Sequence, residues 1–105
     1  MKVVNLYSEK HTVYIGRAGH GEDGTFGNPV KIGESCILCH EIHSDGGSTL
    51  SCYEILLRKK LKDSSAFRRR FMMLATDDVL GCFCKPDACH GDVIVKIWSE
   101  LHEEA

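Results

Sequence analysis

Residues 79–98 read VLGCFCKPDACHGDVIVKIW, and this stretch decides how the last third of the chain folds. The β-branched and apolar run at 79–84 predicts a strand. Apolar positions over 93–101 recur at helical spacing, which predicts a final helix whose start is capped by Asp92. A strand that passes through a short loop into a helix is typical of α/β proteins, which bind ligands at the carboxyl ends of their strands.

The remainder of the chain predicts two more strands and two more helices. Residues 3–7 (VVNLY) and 12–16 (TVYIG) are β-branched and aromatic runs that predict strands. Apolar spacing predicts one helix that begins at Ser48 or Thr49 and a second that begins near Ser65. The order of these elements predicts an α/β fold, with one domain of 105 residues, three helices and a small, mainly parallel sheet of three to four strands.

The composition restricts the classes of protein to be considered. A net charge of −2 gives no overall attraction to nucleic acid or to an anionic membrane. No apolar run approaches the roughly 20 residues that span a bilayer, and nothing resembles a signal peptide. We therefore expect a cytoplasmic protein whose six cysteines stay reduced. In such a protein, clustered cysteines indicate metal binding or catalysis more often than disulfides.

The first cysteine cluster lies in an irregular segment at about 34–48. Cys36 and Cys39 have the C-x-x-C spacing of half a structural zinc site, and His43 follows at a suitable spacing. Cys52, in the first turn of the predicted helix, can supply the fourth ligand, so that a structural zinc ion would join this loop to the helix. C-x-x-C-H also matches covalent haem attachment, and two buried thiols beside solvent-exposed histidines are a third explanation.

The second cluster, formed by Cys82, Cys84, Cys89 and His90, allows three explanations. All four side chains are of zinc-ligand type, but adjacent Cys89 and His90 would have to converge on one ion. Alternatively, Cys84 or Cys89 is a nucleophile paired with His90, because a nearby helix start lowers the pKa of a thiol. Cys82 alone is best explained as buried packing. The candidates for catalysis are therefore Cys84, Cys89, His90 and Asp92, the last two as acid–base or orienting groups.

Two further features bear on ligands and partners. The stretch 18–33 is rich in glycine, which indicates a backbone that turns tightly or comes close to a ligand, with a plain mobile loop as the alternative. Seven of the thirteen Lys and Arg residues lie between Arg58 and Arg70. This basic patch could hold the phosphate backbone of a nucleic acid, although a solvated helix face is the commoner meaning of such a run.

Three segments, TVYIGRAG, FGNPV and LGCFCKPDACHGDVIVKIW, resemble a family of uncharacterised proteins of tailed phages and bacteria, a domain of unknown function. Its hallmarks are Y-[IV]-G-R, G-N-P and C-[WF]-C-x-P-x-x-C-H-G-D, and the opening of the chain is similar to versions from large myophages. Many members lack the cluster around Cys36. The resemblance therefore implies that this cluster is an additional stabilising element, separate from the residues that the family shares. The resemblance implies that the following residues converge: Tyr14, Gly16, Arg17, Gly27, Asn28, Pro29, Cys82, Cys84, Pro86, Cys89, His90, Gly91 and Asp92.

These observations lead to two functional hypotheses. The first is a protein that binds or processes a nucleotide or another anionic metabolite in a pocket at the carboxyl end of the sheet, in the host cytoplasm if the gene is a phage gene. Arg17 would hold the anion, and the ligand-binding residues would be Tyr14, Gly16, Arg17, Gly27 and Asn28. The alternative is a non-enzymatic, zinc-stabilised module that binds nucleic acid or a host protein.

Overall fold

The computed structural model describes residues 1–16, 24–45, 47–82 and 89–103. The predicted order of elements is found: β1 (Lys2–Asn5), β2 (Val13–Tyr14), α1 (Leu50–Asp63), α2 (Ser65–Met72), β3 (Val79–Cys82) and α3 (His90–Glu103). A 3₁₀ turn over Gly47–Thr49 leads into α1. The sheet has three parallel strands in the order β1-β3-β2, so the α/β prediction is confirmed.

Local hydrogen bonds explain why some strands and helices begin or end at other residues than predicted. β1 stops at Asn5, before the expected 7, because the Asn5 Oδ1 accepts the backbone N–H of Tyr7 at 2.9 Å and turns the chain. The cap of α2 is Ser64, one residue before the predicted Ser65, and its side chain accepts the N–H of Phe67.

The predicted capping position of Asp92 is also corrected. Helix α3 begins two residues earlier, at His90, and Asp92 therefore lies inside its first turn. From there its Oδ2 accepts the backbone N–H of Cys89 at 3.3 Å. This is the backward hydrogen bond of a capping box, in which an acidic residue in the first turn satisfies the N–H that precedes the helix.

The connection between β1 and β2 crosses the sheet without a helix. β1 and β2 lie on opposite sides of β3, and all three strands are parallel, so residues 6–12 must return from the carboxyl edge to the amino edge. Backbone hydrogen bonds mark the two ends of this crossing: Leu6 donates to Cys82 at 3.0 Å and Thr12 to Val79 at 2.9 Å. A parallel crossover usually takes about a dozen residues or more, so this one lies tightly against the sheet.

Gly81 makes this tight crossing possible. A Cβ at Gly81 would lie 2.6 Å from Cγ of His11, closer than side chains pack. The absence of a side chain therefore lets the crossing segment, named here the strap (residues 6–12), lie directly on β3. Leu80 and Cys82 point to the opposite face, where both are fully buried.

The helices cover that opposite face and enclose the main core. Helix α3 packs directly on the sheet, where a Cβ at Gly91 would lie 2.7 Å from a methyl group of Val3. α1 packs against α2 and α3, and the indole N–H of Trp98 donates to the carbonyl of Leu74 at 3.0 Å. The core is formed by large apolar side chains that include Ile15, Leu57, Phe71, Leu80, Ile94 and Ile97. This arrangement fixes the start of α3 against the carboxyl ends of the strands.

Candidate metal centre and carboxyl edge of the sheet

The four side chains that the sequence predicts as metal ligands come together in space. The Sγ atoms of Cys36, Cys39 and Cys52 and one ring nitrogen of His43 all lie within 4.8 Å of one another. A tetrahedral zinc site with bonds of about 2.0–2.3 Å separates its ligand atoms by roughly 3.5 Å. The distance from Cys39 Sγ to His43 Nε2 is already 3.6 Å. Small side-chain rotations would therefore close this Cys3His group, named here the metal cluster, around an ion.

The backbone of the C-x-x-C turn directs N–H groups at the sulfur atom of Cys36. The N–H groups of Leu38 and Cys39 point at Cys36 Sγ, at 3.4 and 3.5 Å, and the N–H of His40 bonds the Cys36 carbonyl at 3.0 Å. His40 has a φ of 66°, the left-handed conformation that reverses the chain direction after the second cysteine. The return segment then pairs with the outgoing one, since Gly33 donates to the carbonyl of His43 at 2.9 Å. The hairpin thus brings His43 back beside Cys39.

The electrostatics of the metal cluster favour a bound cation. The backbone N–H of Cys39 lowers the pKa of Cys36 to about 6, against the opposing effect of burial. The pKa of Cys52 is raised to about 11 by burial and by the neighbouring Cys36 thiol. Thiolates are the form that binds metal, and several of them at this distance repel one another without a positive charge between them. A divalent cation at the centre would remove that repulsion.

The metal cluster lies in a small second core, separate from the main one. This second core consists of Val30, Cys36 and Cys52, with Leu38 and Leu56 packed against it. Cys36 is 2% exposed and Cys52 is 6% exposed, whereas Cys39 lies at the surface. An ion here would join the hairpin to the first turn of α1.

Asn28 ties the segment that precedes the hairpin to the same end of α1. Its Nδ2 donates to Thr49 Oγ1 at 3.0 Å, and its Oδ1 accepts the N–H of Val30 at 2.9 Å. Thr49 is 2% exposed, so both ends of the Asn28 amide are used in a partly buried place. Asn28 therefore holds the segment that leads into the second core against the start of α1.

At the carboxyl edge of the sheet, Tyr53 of α1 joins three segments that are distant in sequence. Its hydroxyl donates to the carbonyl of Phe26 at 2.9 Å. Its ring makes an edge-to-face contact with the ring of His90, with 5.2 Å between centroids. His90 in turn lies 2.5 Å, through Nε2, from the carbonyl of Ile15. The end of β2, the segment around Phe26 and the start of α3 therefore meet at Tyr53.

The helical spacing of apolar residues predicts only that Tyr53 lies on the buried side of α1. The signal that could have identified its role is the hydroxyl, because a buried tyrosine usually finds a hydrogen-bond partner. Tyr53 is 2% exposed, and burial raises the pKa of its hydroxyl. The group therefore stays protonated and acts as a permanent donor to Phe26.

Cys89 and His90 are buried at the start of α3. Cys89 is fully buried, His90 is 7% exposed, and the two thiols of Cys82 and Cys89 are in contact, with 2.7 Å between their sulfur atoms. A carbonyl can only accept, so the Nε2 of His90 carries the proton that bonds Ile15, and Nδ1 is left facing Cys89 Sγ at 3.8 Å. The hydrogen bond to Ile15 therefore fixes the orientation of the His90 ring.

The catalytic role of Cys89, His90 and Asp92 stays a prediction. Asp92 is exposed and makes the capping bond described above. The fourth catalytic candidate, Cys84, and the anion-binding candidate Arg17 lie outside the described residues.

The other predicted ligand-binding residues border the same junction. Tyr14 is half-buried, and its ring lies over Gly16, so a side chain at Gly16 would collide with it. Gly27 follows Phe26 directly, and its N–H bonds the carbonyl of Gly24 at 3.0 Å. Tyr14, Gly16 and Gly27 therefore lie next to residues that Tyr53 and His90 hold together, while Asn28 bonds toward the second core.

The fold and the metal cluster define a small α/β protein with a candidate Cys3His metal centre. The chain belongs to the family described as Domain of unknown function (DUF4326), which matches residues 3–100. Comparisons with curated proteins and with solved structures find no match. No helix in the described part of the chain combines the length and the apolar character that crossing a membrane requires.

Proposed function

We propose that this protein is a zinc-stabilised binding domain. One Zn²⁺ would be held by Cys36, Cys39, His43 and Cys52 and would join the hairpin to α1. The observation that supports this proposal is the approach of the four ligand atoms to within 4.8 Å of one another. Three thiolates and one imidazole suit zinc, and four protein ligands leave no open position, which is typical of a structural site rather than a catalytic one.

Metal analysis of Cys39→Ser tests this proposal. Cys39 is exposed, so serine removes a ligand atom with little effect on packing. We expect about one zinc per chain in the wild type and a loss of most of it in the variant, because the remaining three ligands bind much more weakly. Replacing Zn²⁺ by Co²⁺ should also give thiolate-to-cobalt absorption in the wild type that decreases in Cys39→Ser.

The matched control is His40→Asn, which changes the residue next to Cys39 but leaves the metal cluster intact. Asparagine tolerates the left-handed backbone of His40, so this variant should keep its zinc. A wild type that is purified without metal and takes up none on titration with Zn²⁺ would overturn the proposal.

A second function is favoured by the junction at Tyr53. We propose that the domain binds a small anionic metabolite of the nucleotide class at the carboxyl edge of the sheet. In support, the end of β2, the segment around Phe26 and the first turn of α3 meet there. The dipole of α3 favours anions at its start, and Arg17, one residue after Gly16, would add a positive charge.

A thermal-shift panel of nucleotides and related phosphates tests this second function. We expect at least one compound to raise the Tm of the wild type and to have no effect on Arg17→Ala. The control is Arg58→Ala on α1, an exposed arginine already paired with Glu54 and Glu100, which should keep the full shift relative to its own Tm without ligand. An unchanged Tm across the panel would reject the anionic ligand, and equal shifts in Arg17→Ala and wild type would reject its placement at Arg17. Both results would leave the zinc proposal untouched.

We place this domain in a cytoplasm, that of the host if the resemblance to phage proteins reflects its origin. The reason is chemical, because Cys36, Cys39 and Cys52 are free thiols and must stay reduced to bind a metal.

A further inference from the structure

The outer faces of α1 and α2 carry a concentration of positive charge that neither proposed function uses. Between Arg58 and Arg70 the chain has seven basic residues and one acidic residue, Asp63, although the whole chain has a net charge of −2. The basic side chains are all exposed. We propose that these faces form a docking surface for the phosphate backbone of a nucleic acid.

The packing of the two helices turns the charges outward. α1 ends at Asp63 and α2 begins at Ser65, so only Ser64 separates them. Their buried positions, Leu61 and Phe67 among them, face the core, and the basic residues occupy the remaining faces. Lys60 Nζ lies 4.4 Å from the centroid of the Phe67 ring, a cation–π contact that bridges the two helices.

The carboxylates of the described residues leave most of these basic side chains without an ion pair. Arg58 is the exception, because it pairs with Glu54 and Glu100 at 3.0 and 2.8 Å. Glu54 also binds Lys96, at 3.1 Å. Within the described residues, four basic side chains on α1 and α2 form neither an ion pair nor a cation–π contact. We name them the basic surface: Lys59, Lys62, Arg68 and Arg69.

The basic surface brings like charges close together within each helix. Lys59 and Lys62 are three residues apart on α1, and like charges at that spacing repel across one turn. α2 has three successive arginines and no acidic residue among its eight. A polyanion bound to the basic surface would relieve that repulsion.

The chemistry of the basic surface fits phosphate better than protein. Lysine is depleted at protein–protein interfaces, where arginine is enriched beside buried aromatic and apolar anchors, and the four residues of the basic surface include no such anchor. Several exposed lysines and arginines, in contrast, gain affinity for a polyanion because binding releases the counterions condensed on it. Binding should then be independent of base sequence and should weaken as salt is added.

Fluorescence anisotropy with a labelled, mixed-sequence DNA duplex and a single-stranded RNA of equal length tests this inference. The test variant replaces Lys59, Lys62, Arg68 and Arg69 by glutamine. We expect wild-type binding to at least one probe at low salt, and at least a tenfold loss in the variant. For the duplex, each lost phosphate contact should reduce the slope of log K against log salt by about 0.9, so four contacts would reduce it by about 3.6.

A control variant with the same change in net charge separates a local surface from overall charge. It replaces by glutamine four basic residues that already have carboxylate partners: Lys2, Lys31, Arg58 and Lys96. This control should keep the salt slope and most of the affinity of the wild type. Two double variants change Lys59/Lys62 and Arg68/Arg69 separately, so that each helix is tested with only two substitutions. Each double variant should show about half of the reduction in salt slope that the fourfold variant shows.

Three results would overturn the inference. The first is no binding of either nucleic acid by the folded wild type at low salt. The second is an equal loss of binding in the test and control variants, which would mean that only overall charge matters. The third is competition by a polyglutamate peptide as effective as unlabelled DNA, which would assign the basic surface to an acidic protein partner. Zinc content is measured in every variant, so failure here is distinguishable from loss of the metal centre.

Discussion

Removing the metal is expected to lower the free energy of unfolding by about 4 kcal/mol, the range in which loss of a structural metal falls. The second core consists of Val30, Cys36 and Cys52 with two partly buried leucines, which is too little apolar surface to hold a hairpin without an ion. In a domain of this size, that loss corresponds to a fall in Tm of about 15 °C or more. Chelation followed by thermal unfolding measures it, and re-addition of Zn²⁺ should restore the original Tm.

Cys36→Ser should reproduce the effect of chelation without a chelator. Cys36 is nearly fully buried and accepts two backbone N–H groups, so its loss removes both a ligand and part of the second core. His40→Asn is again the control and should unfold close to the wild-type temperature. A chelated protein that metal analysis shows to be empty, and that unfolds at the wild-type temperature, would contradict a structural role for the ion.

His90→Ala is expected to destabilise the fold by about 3 kcal/mol. The substitution removes the donor to the buried carbonyl of Ile15, and it removes the ring that contacts Tyr53. An unsatisfied buried acceptor costs about 1–3 kcal/mol, and the cavity left by the ring adds to this. Urea unfolding of wild type and variant measures the difference.

His102→Ala gives the matched comparison for His90, because it is the same substitution on the same helix. His102 is exposed and stacks on Trp98 at 3.8 Å, so its loss should cost less than about 1 kcal/mol. If His90→Ala proved as stable as the wild type, the histidine would not be needed for packing, and a chemical role would become the better explanation of its position.

The fold could be predicted from the sequence where the signals are local. Apolar spacing identified α1, α2 and α3, and the β-branched runs identified all three strands. The exact ends could not be predicted, because they depend on single hydrogen bonds such as that from Tyr7 to Asn5. The position of β3 between β1 and β2 was also not predicted, since register and strand order arise from tertiary contacts.

The same distinction applies to the candidate sites. The metal cluster was predicted because three of its members lie within eight residues and the fourth lies in the next helix. The junction at Tyr53 was not predicted in this form, because it joins Ile15, Phe26 and His90, which are widely separated along the chain. Periodicity assigns Tyr53 to a buried face but does not say which carbonyl its hydroxyl will meet.

The central position of β3 determines when the sheet of this protein can assemble during synthesis. β1 and β2 do not pair with each other, and their common neighbour β3 leaves the ribosome only when residues 79–82 have been made. The amino-terminal strands therefore emerge early and remain without a sheet while most of the chain is translated. Such late, long-range pairing slows folding and leaves apolar residues such as Val4 exposed to aggregation or to chaperones in the meantime.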